Sequence, residues 1–598
     1  AEASTATLGE GDGGRLIVNA TDSVSISGIS ENGKLNGRLV STTDGSGDAG
    51  NVSVNTSRLV VQDGGQLLAT TFSSGKGGSL EINASESVEV SGGAGNFFSE
   101  LNAGSLPSPI TGEVATGNSG DLTLSTGRLT ILNGAKVAVS TLGSGSAGSL
   151  EVVASEVEIV GQGSAGGLSS PSILSARTLG SGSAGDVSIT ADQVTIQDGA
   201  EASVSSTGTS RAGDLNVNAD TISLSNRARL TAVTEAGSGA NIRLQVTDTL
   251  QLARESEISA STQAGQGGSI TINASNDRAT DVVTLSDRSQ ISAAAEQGGS
   301  AGDLTVTAEQ LTVQEGAQVT VSSPQGQAGN LTITANTLTL NQGTLFAETG
   351  ISSADSGANI TLQDLDLLLL SNESLVSATA FEDANGGNVA IDSTLIVALP
   401  PQGPQGSDII ANAERGNGGR VSITTQGLFD IQFRPNRTPD NDITVSSTFG
   451  IAGEFLLTQP DVDPSRGLTA LPTDLANATE LIDRSCAPGG RVRMSRFTVT
   501  GRGGFPPNPI EPLDQESLLE DFGTPVIVDP ATVDSEKQAT NSDSNSRPTE
   551  IVEAQGWVRN SDGKITLVAL VPAVTPKSFW LTSLSCHKVQ ATITGVTH

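Results

Sequence analysis

Short stretches in which apolar and polar residues alternate recur along the first three quarters of the chain. Each stretch follows a glycine-containing turn, most often Ala-Gly-Asp, Ala-Gly-Asn or a close variant, and its first apolar residue marks the start of one unit. These start residues are Leu16, Val52, Leu80, Leu122, Leu150, Val187, Leu215, Ile242, Ile270, Leu304, Leu331, Ile360, Val389 and Val421. Subtracting each number from the next gives spacings of 36, 28, 42, 28, 37, 28, 27, 28, 34, 27, 29, 29 and 32 residues. A base period near 28 residues with occasional insertions predicts a repeat architecture.

One unit reads as three short strands. Between residues 303 and 323, the segments Asp-Leu-Thr-Val-Thr-Ala, Gln-Leu-Thr-Val-Gln-Glu-Gly-Ala and Gln-Val-Thr-Val-Ser-Ser alternate apolar with polar positions, which is typical of β-strands. A tight turn closes the second strand, and in different units it is Asp63-Gly64, Asn133-Gly134, Asp198-Gly199 or Glu315-Gly316. Because one triangular coil cannot bury its own apolar face, the coils have to stack on one another.

The stacking of these coils predicts an all-β fold, a right-handed parallel β-helix. Each strand would pair with its counterpart one coil away, at about 4.8 Å, so that Leu, Val and Ile form interior ladders while Thr, Ser, Asn and Gln face water. About 14 coils would give a rod of roughly 65 to 70 Å. A row of β-sandwich domains needs about 100 residues and an aromatic core for each domain, and a propeller needs four strands in each blade. Neither alternative matches this pattern.

The intervals that exceed 29 residues show where extra chain is inserted. In four of them the extra residues are predicted at the turn between the second and third strands, and in a fifth between the first and second strands. The four insertions are Gly28 to Gly37, Gly92 to Pro109, Gly161 to Pro171 and Leu399 to Gly406, and the fifth is Asn276 to Asp281.

Insertions at one corner of stacked coils line up along one edge, and this edge is the predicted binding surface. It carries Phe97, Phe98 and Leu101, in a chain with only 3% aromatic residues. Exposed aromatic side chains at this edge would indicate contact with a partner. The alternative is that the loop folds down and buries both phenylalanine rings.

The character of the sequence changes near residue 450, where proline becomes frequent and the repeat stops. Residues 1–450 are the predicted β-helix, 451–528 a proline-rich extension, 529–549 a flexible polar linker and 550–598 a small β module around an Asp562-Gly563 turn signal. Both cysteines, Cys486 and Cys586, lie in this last part. They predict either a disulfide, as in a secreted chain, or two unrelated free thiols. A disulfide would tether the module as a cap over the open end of the rod.

Composition and charge narrow the class of protein. The 598 residues include 71 glycines, no tyrosine and two tryptophans, with a formal net charge of -34, so we expect no nucleic-acid partner. No stretch approaches the roughly 20 apolar residues of a membrane-spanning helix, and no signal sequence opens the chain. We therefore expect a protein that does not span the membrane and whose export signal lies upstream of residue 1.

A lyase or hydrolase that acts on polysaccharides is the enzymatic alternative, because many right-handed β-helices have such activity. This chemistry needs converging carboxylates. Pairs two residues apart are Asp364 with Asp366, Asp440 with Asp442, and Asp461 with Asp463. Aromatic residues that could stack on sugars are scarce, and the two histidines, His587 and His598, are too few for a triad or a histidine-rich zinc site. We expect no enzyme and no catalytic residues.

No cofactor or metal site is predicted either. Calcium is the one cation that the Asp-, Asn- and Gly-rich turns leave open, although the nonapeptide of calcium-binding β-rolls does not recur. We expect the Asp and Asn residues before the first strands to cap their own turns through local backbone hydrogen bonds.

The repeats and two phrases near the C-terminal end resemble the filamentous haemagglutinin family, in its cyanobacterial branch of large exoproteins exported by two-partner secretion. The phrases are Ser485-Cys486-Ala487-Pro488-Gly489-Gly490-Arg491 and Arg502-Gly503-Gly504-Phe505-Pro506-Pro507-Asn508-Pro509. The resemblance covers nearly the whole chain, and the repeats together with these phrases are more specific than the repeats alone.

The resemblance implies export through a dedicated β-barrel transporter of the outer membrane, followed by display at the cell surface or release. The N-terminal secretion domain of the family is missing from these residues, so transport by this partner rests on the resemblance alone. We expect a secreted or cell-surface, non-enzymatic adhesin that binds cells, glycans or matrix. The alternative is a spacer that holds another domain away from the cell and binds nothing.

Overall fold

The structure, a computed structural model, describes residues 1–108, 111–350 and 358–460 together with two strands, Gly556–Arg559 and Ile565–Val568. The chain divides into two compact units, Ala1–Asp463 and Pro464–His598. In the first unit, parallel strands stack as a right-handed β-solenoid of about 13 turns with a spacing of about 29 residues. The predicted fold class is therefore confirmed.

The register of the stack follows the start residues of the predicted units. Leu16 pairs with Val52, and Val52 pairs with Leu80. Each later start residue likewise pairs with the start residue of the next unit, up to Val421. The pairing extends one coil further, because Val421 pairs with Phe455. The β-solenoid thus continues past the boundary predicted at residue 450.

The third strands of successive coils form one parallel sheet, which we call sheet A. Its strands, in order along the sheet, are Glu2–Thr7, Arg38–Thr43, Gln66–Thr71, Glu100–Asn102, Lys136–Thr141, Ile173–Thr178, Glu201–Ser206, Arg229–Thr234, Glu257–Thr262, Gln290–Ala295, Gln318–Ser323, Thr344–Thr349, Leu375–Ala380, Asp408–Ile410, Asp442–Thr444 and Gln432–Phe433. The last strand comes from an insertion in the same coil as its neighbour, so the sheet is extended by one short strand at this end.

The first and second strands of the coils form the other parallel sheet, sheet B. Its strands are Leu16–Asn19, Ser23–Ser27, Val52–Gln62, Leu80–Ser91, Leu122–Leu132, Leu150–Val153, Glu156–Val160, Val187–Thr190, Gln193–Gln197, Leu215–Ser225, Ile242–Ala253, Ile270–Asn273, Thr280–Leu285, Leu304–Gln314, Leu331–Asn341, Ile360–Ser371, Asn388–Ala398, Arg420–Phe429 and Glu454–Thr458. In most coils the two strands run on as one bent strand, whereas the sequence predicts a tight turn between them. The bend shifts the register, for example between Thr56 and Arg58.

The core consists of aliphatic ladders that run the length of the first unit. In the coil that starts at Leu304, the side chains of Leu304, Val306, Leu311, Val313 and Val319 are at most 1% exposed. Burial of each such side chain contributes about 1.5 to 3 kcal/mol relative to exposure. Because each side chain packs on its equivalent in the coils above and below, no coil has a complete core of its own.

The glycine and the Asp or Asn residue before each first strand mark a close approach of one coil to the next. A Cβ atom on Gly213 would lie 2.0 Å from the carbonyl oxygen of Gly185, so a larger residue requires the backbone to shift. The next side chain connects coils, since Asp186 Oδ1 accepts a hydrogen bond from the backbone N–H of Asp214 at 2.8 Å. The prediction that these side chains cap their own turns is therefore wrong.

Asp303→Ala tests this connection. Asp303 Oδ1 accepts hydrogen bonds from the backbone N–H and the side-chain amide of Asn330, at 2.8 and 3.2 Å. We expect the free energy of unfolding to fall by about 1 kcal/mol and the backbone amide of Asn330 to exchange its hydrogen faster. Asp303→Asn retains an acceptor and is the matched control. Hydrogen exchange measured on the whole chain checks this, and unchanged exchange at Asn330 in Asp303→Ala would contradict it.

Glu348 on the outer face of sheet A gives the stability a pH dependence. It lies between Ser322 and Thr379 of the neighbouring strands, and burial raises the pKa of its carboxyl group. The folded chain therefore holds this proton more tightly than the unfolded chain, and the stability from Glu348 is lost as the pH rises through the folded pKa. We expect Glu348→Gln to raise the melting temperature at neutral pH but not in acid. Thermal melts across this range check it, and an equal effect at every pH would contradict it.

The second unit is described by its two strands alone. Gly556–Arg559 pairs antiparallel with Ile565–Val568, with Trp557 opposite Leu567, as the turn signal at Asp562-Gly563 predicts. The boundaries predicted at residues 528 and 549 lie outside the described residues, as do both cysteines.

Helical structure in the described ranges is confined to one short turn, Ser275–Asp277. None of the helical residues there forms a segment long and apolar enough to cross a membrane.

Candidate binding edge

Most insertions lie at the corner between the second and third strands, which we call the insertion edge. It comprises residues 28–37, 92–99, 161–172, 399–407 and 430–441. Insertions are also found at other corners, at the described residues 106–108 and 111–116 and at the predicted position around 276–281. The sequence analysis missed residues 430–441, because no predicted start residue follows Val421. The sequence feature that indicates this insertion is the distance from Val421 to its partner Phe455, which by subtraction is 34 residues and exceeds the base period near 28.

The prediction that Leu101 lies on the insertion edge is wrong. Leu101 lies in the third strand of its coil, where it pairs with Leu67 and Val137, and its side chain is fully buried. The extra residues of this coil are divided between two corners, with 92–99 before the third strand and 106–116 after it. Alternation of Leu101 with polar neighbours, as in the other third strands, is the sequence signal that marks it as a core residue.

Hairpins project from the first, third and fifth coils. Their paired segments are Ile29 with Asn36, Gly93–Ala94 with Phe97–Phe98, and Gln162–Ala165 with Leu168–Pro171. The second and third hairpins are in contact, because the backbone N–H of Gly166 donates to the carbonyl oxygen of Gly95 at 2.5 Å. The hairpins therefore form a ridge that passes over the coils between them.

The second and fourth coils carry short turns that fit beneath these hairpins. Ser99 Oγ accepts a hydrogen bond from the backbone N–H of Gly64, and Ser172 Oγ accepts one from Gly134, both at 3.0 Å. Gly134 has a φ of +83°, and a Cβ atom on it would lie 2.7 Å from the backbone nitrogen of Gly163. Glycine is required at this turn. Two buried serine hydroxyls thus attach the ridge to the solenoid.

Phe97 and Phe98 lie on the second hairpin, and both are half-buried. The Lys136 ammonium lies 4.5 Å from the centre of the Phe98 ring, within the range of a cation–π contact. Neither alternative from the sequence holds in full, because the rings are neither free in solvent nor enclosed in the core. They give the ridge a small apolar surface.

Beyond the third hairpin, the short turns at the same corner form a groove of about 710 Å³. Gly161 and Gln162 border it at the base of that hairpin, and short turns of the following coils form the rest. The lining residues of those turns are Asp198, Gly199, Asn226, Arg227, Arg254, Glu255, Asp287 and Arg288. The sequence analysis missed this groove. The sequence feature that indicates the groove is a charged residue, in three consecutive units, at the turn position that glycine holds in other units.

The groove contains both positive and negative side chains. Arg288 Nη2 lies 2.6 Å from Glu255 Oε1, an ion pair. Arg254 Nη1 donates a hydrogen bond of 3.4 Å to Asn226 Oδ1. Within the ranges that the structure describes, the guanidinium groups of Arg227 and Arg254 pair with no carboxylate. The groove therefore combines two guanidinium groups, which have no carboxylate partner among the described residues, with the carboxylates of Asp198 and Asp287.

The first pair of carboxylates proposed from the sequence as an enzymatic alternative lies away from the insertion edge. Asp364 and Asp366 are exposed on either side of buried Leu365, at the bend between the first and second strands. They therefore lie at a different corner from the groove. Four other candidates lie outside the described residues. They are Asp461, Asp463, His587 and His598.

Asp442 belongs to an ion-pair cluster that contains two buried carboxylates. Its carboxylate pairs with Arg434, which also lies 3.1 Å from Asp440, while the neighbouring Asp408 pairs with Arg437 at 2.5 Å. Asp408 and Asp442 are fully buried. Burial raises the pKa of Asp408, and a hydrogen bond from the backbone of Asp442 and the charge of Arg437 oppose this rise. These carboxylates hold the final insertion on sheet A.

Arg437→Met tests the role of this cluster. The variant leaves the Asp408 carboxylate buried with fewer partners, so we expect the free energy of unfolding to fall by about 2 kcal/mol at neutral pH. The loss should shrink in acid, because protonation of Asp408 removes the unpaired charge. Adding Asp408→Asn should recover most of the stability. Denaturant titrations at both pH values check this, and no recovery in the double variant would contradict it.

No group of three or more His, Cys, Asp or Glu side chains in the described ranges is arranged to hold a metal ion. The chain matches no protein-family model, no curated protein and no solved structure.

Proposed function

We propose that this protein is a non-catalytic bacterial surface adhesin, in which the β-solenoid is a rod and the insertion edge binds cells, glycans or matrix. The observation that supports this most directly is the position of the insertions. Five of the seven in the described residues lie at the corner between the second and third strands. A repeating edge of this kind presents several contacts along one line.

The position of the insertions favours a binding rod over a simple spacer. The bend between the first and second strands, where Asp364 and Asp366 are exposed, also lies outside the core ladders, so a spacer tolerates insertions there as well. Concentration at one corner instead builds a connected surface, with the hairpins in contact and the groove beside them. Weak contacts spread along such an edge reinforce one another when the ligand is a polymer or a cell surface.

The proposal includes an extracellular location at the cell surface, associated with the outer membrane. Export through an outer-membrane β-barrel transporter is the part that the family resemblance implies. The net charge of -34 suits a long exposed rod, because like charges keep neighbouring rods apart in solution.

Replacement of Gly92–Phe98 by Asp-Gly tests the insertion edge, because it retains Ser99 as the third residue of a turn that is as short as the turn of the second coil. The third strand and its buried leucine stay in place, so we expect the melting temperature to change little. We expect binding to polysaccharide-coated surfaces or bacterial cells to weaken several-fold, because the ridge loses Phe97 and Phe98. Binding of the labelled whole chain to these surfaces is the measurement.

The matched control shortens residues 106–116, an insertion of the same coil at another corner. It should leave attachment unchanged. Equal attachment by the hairpin variant and the native chain would remove the ridge from the binding surface. No saturable attachment by any form would favour the spacer, and shortening of the polysaccharide during the assay would favour an enzyme.

A further inference from the structure

The turns that line the groove differ from the other short turns at this corner in the residue that adopts the left-handed conformation. In the other coils with a short turn at this corner, the second turn residue is often glycine in the left-handed region, as in Gly199 and Gly316, with φ of +76° and +77°. Arg227, Glu255 and Arg288 hold the same position with φ of 61°, 61° and 59°. A side chain in this region costs free energy that glycine does not.

Left-handed non-glycine residues occur at the first position of these turns along the solenoid, as at Asp63 and Glu315, whereas at the second position three of the four in the described residues line the groove. The three charged residues occupy consecutive coils and all line it. Another charged residue in a left-handed turn, Glu373, lies in a later coil. An unfavourable conformation that is retained over adjacent coils points to a role for the side chains that adopt it.

The side chains of the groove offer two kinds of contact. Arg227 and Arg254 present guanidinium groups that pair with no carboxylate of the described chain, and a guanidinium binds a carboxylate through two parallel hydrogen bonds. Asp198 Oδ1 and Asn226 are already hydrogen-bonded to each other at 2.8 Å, and their remaining oxygen positions accept hydrogen bonds from hydroxyl groups. The set fits a ligand that carries hydroxyls and separated carboxylates.

The shape of the site favours a polymer. The groove runs across consecutive coils, each advancing by about 4.8 Å, so equivalent side chains recur along a line. Asp198, Glu255 and Asp287 stand among the arginines, so the groove suits a ligand in which carboxylates alternate with hydroxyl groups that these acids can accept hydrogen bonds from.

We infer that the groove binds an extended polysaccharide that carries carboxylate groups at intervals, a polyuronate. Arg227 and Arg254 bind its carboxylates, and the acidic and amide side chains between them accept hydrogen bonds from its hydroxyls. This inference rests on the proposed function, for which it names the ligand class and the residues.

The test compares binding of polygalacturonate to the native chain and to the double variant Arg227→Gly, Arg254→Asn. Glycine and asparagine both tolerate left-handed turns, so the melting temperature should not fall. We expect binding, measured by titration calorimetry, to weaken about tenfold. We also expect native binding to weaken with added salt and to be much weaker for fully methyl-esterified polygalacturonate, which has lost its charges.

The matched control is Arg243→Gln. Arg243 is an exposed arginine of sheet B outside the groove, and its removal changes the net charge by the same amount as one groove substitution. It should leave binding unchanged.

Each contrary result has a definite meaning. Equal binding by the double variant and the native chain, or equal binding of the charged and esterified polymers, would overturn the inference. If the native chain attaches to cells through the hairpin ridge but does not bind polygalacturonate, the inference fails and the proposed function stands. If it attaches to no surface and binds no polysaccharide, both fail.

Discussion

In-register pairing of each coil with the next is the interaction on which the rest of this structure depends. A coil of about 29 residues has no partner within itself for its backbone hydrogen bonds or its apolar side chains. Both are satisfied only by the equivalent residues of the neighbouring coil. The recurring Gly-Asp and Gly-Asn phrases follow from this, because the glycine permits the close approach and the polar side chain accepts a backbone hydrogen bond from the next coil.

The same constraint explains where variation is tolerated. Strand residues cannot change length without moving a whole ladder out of register, whereas a corner can lengthen if its buried polar groups find partners. At the insertion edge these partners are supplied by the insertions themselves, as when Ser99 and Ser172 accept hydrogen bonds from the short turns beneath them. Variation in length therefore accumulates at the corners while the core ladders stay uniform.

The end of the solenoid shows how an insertion can also serve stability. Gln432–Phe433 adds a short strand to sheet A, and the rings of Phe433 and Phe455 stack with centroids 5.0 Å apart. Arg434 and Arg437 neutralise the two buried carboxylates beneath this insertion. Asp442, one member of an acidic pair noted in the sequence, pairs here with Arg434, because burial of its carboxylate without a cationic partner would be costly.

The sequence by itself determined the period, the start residues of the coils, the aliphatic ladders and the corner that carries most insertions. These features repeat in successive units, so a pattern that is weak in one unit is recognised from its recurrence in the others. Only the tertiary structure decided that Leu101 is a core residue, that Asp442 is buried beside Asp408, and that Arg227 and Arg254 lie together in a groove. The reason is physical: neighbours in this fold are separated by a whole coil along the chain, and an exceptional residue has no repeat to identify its partner.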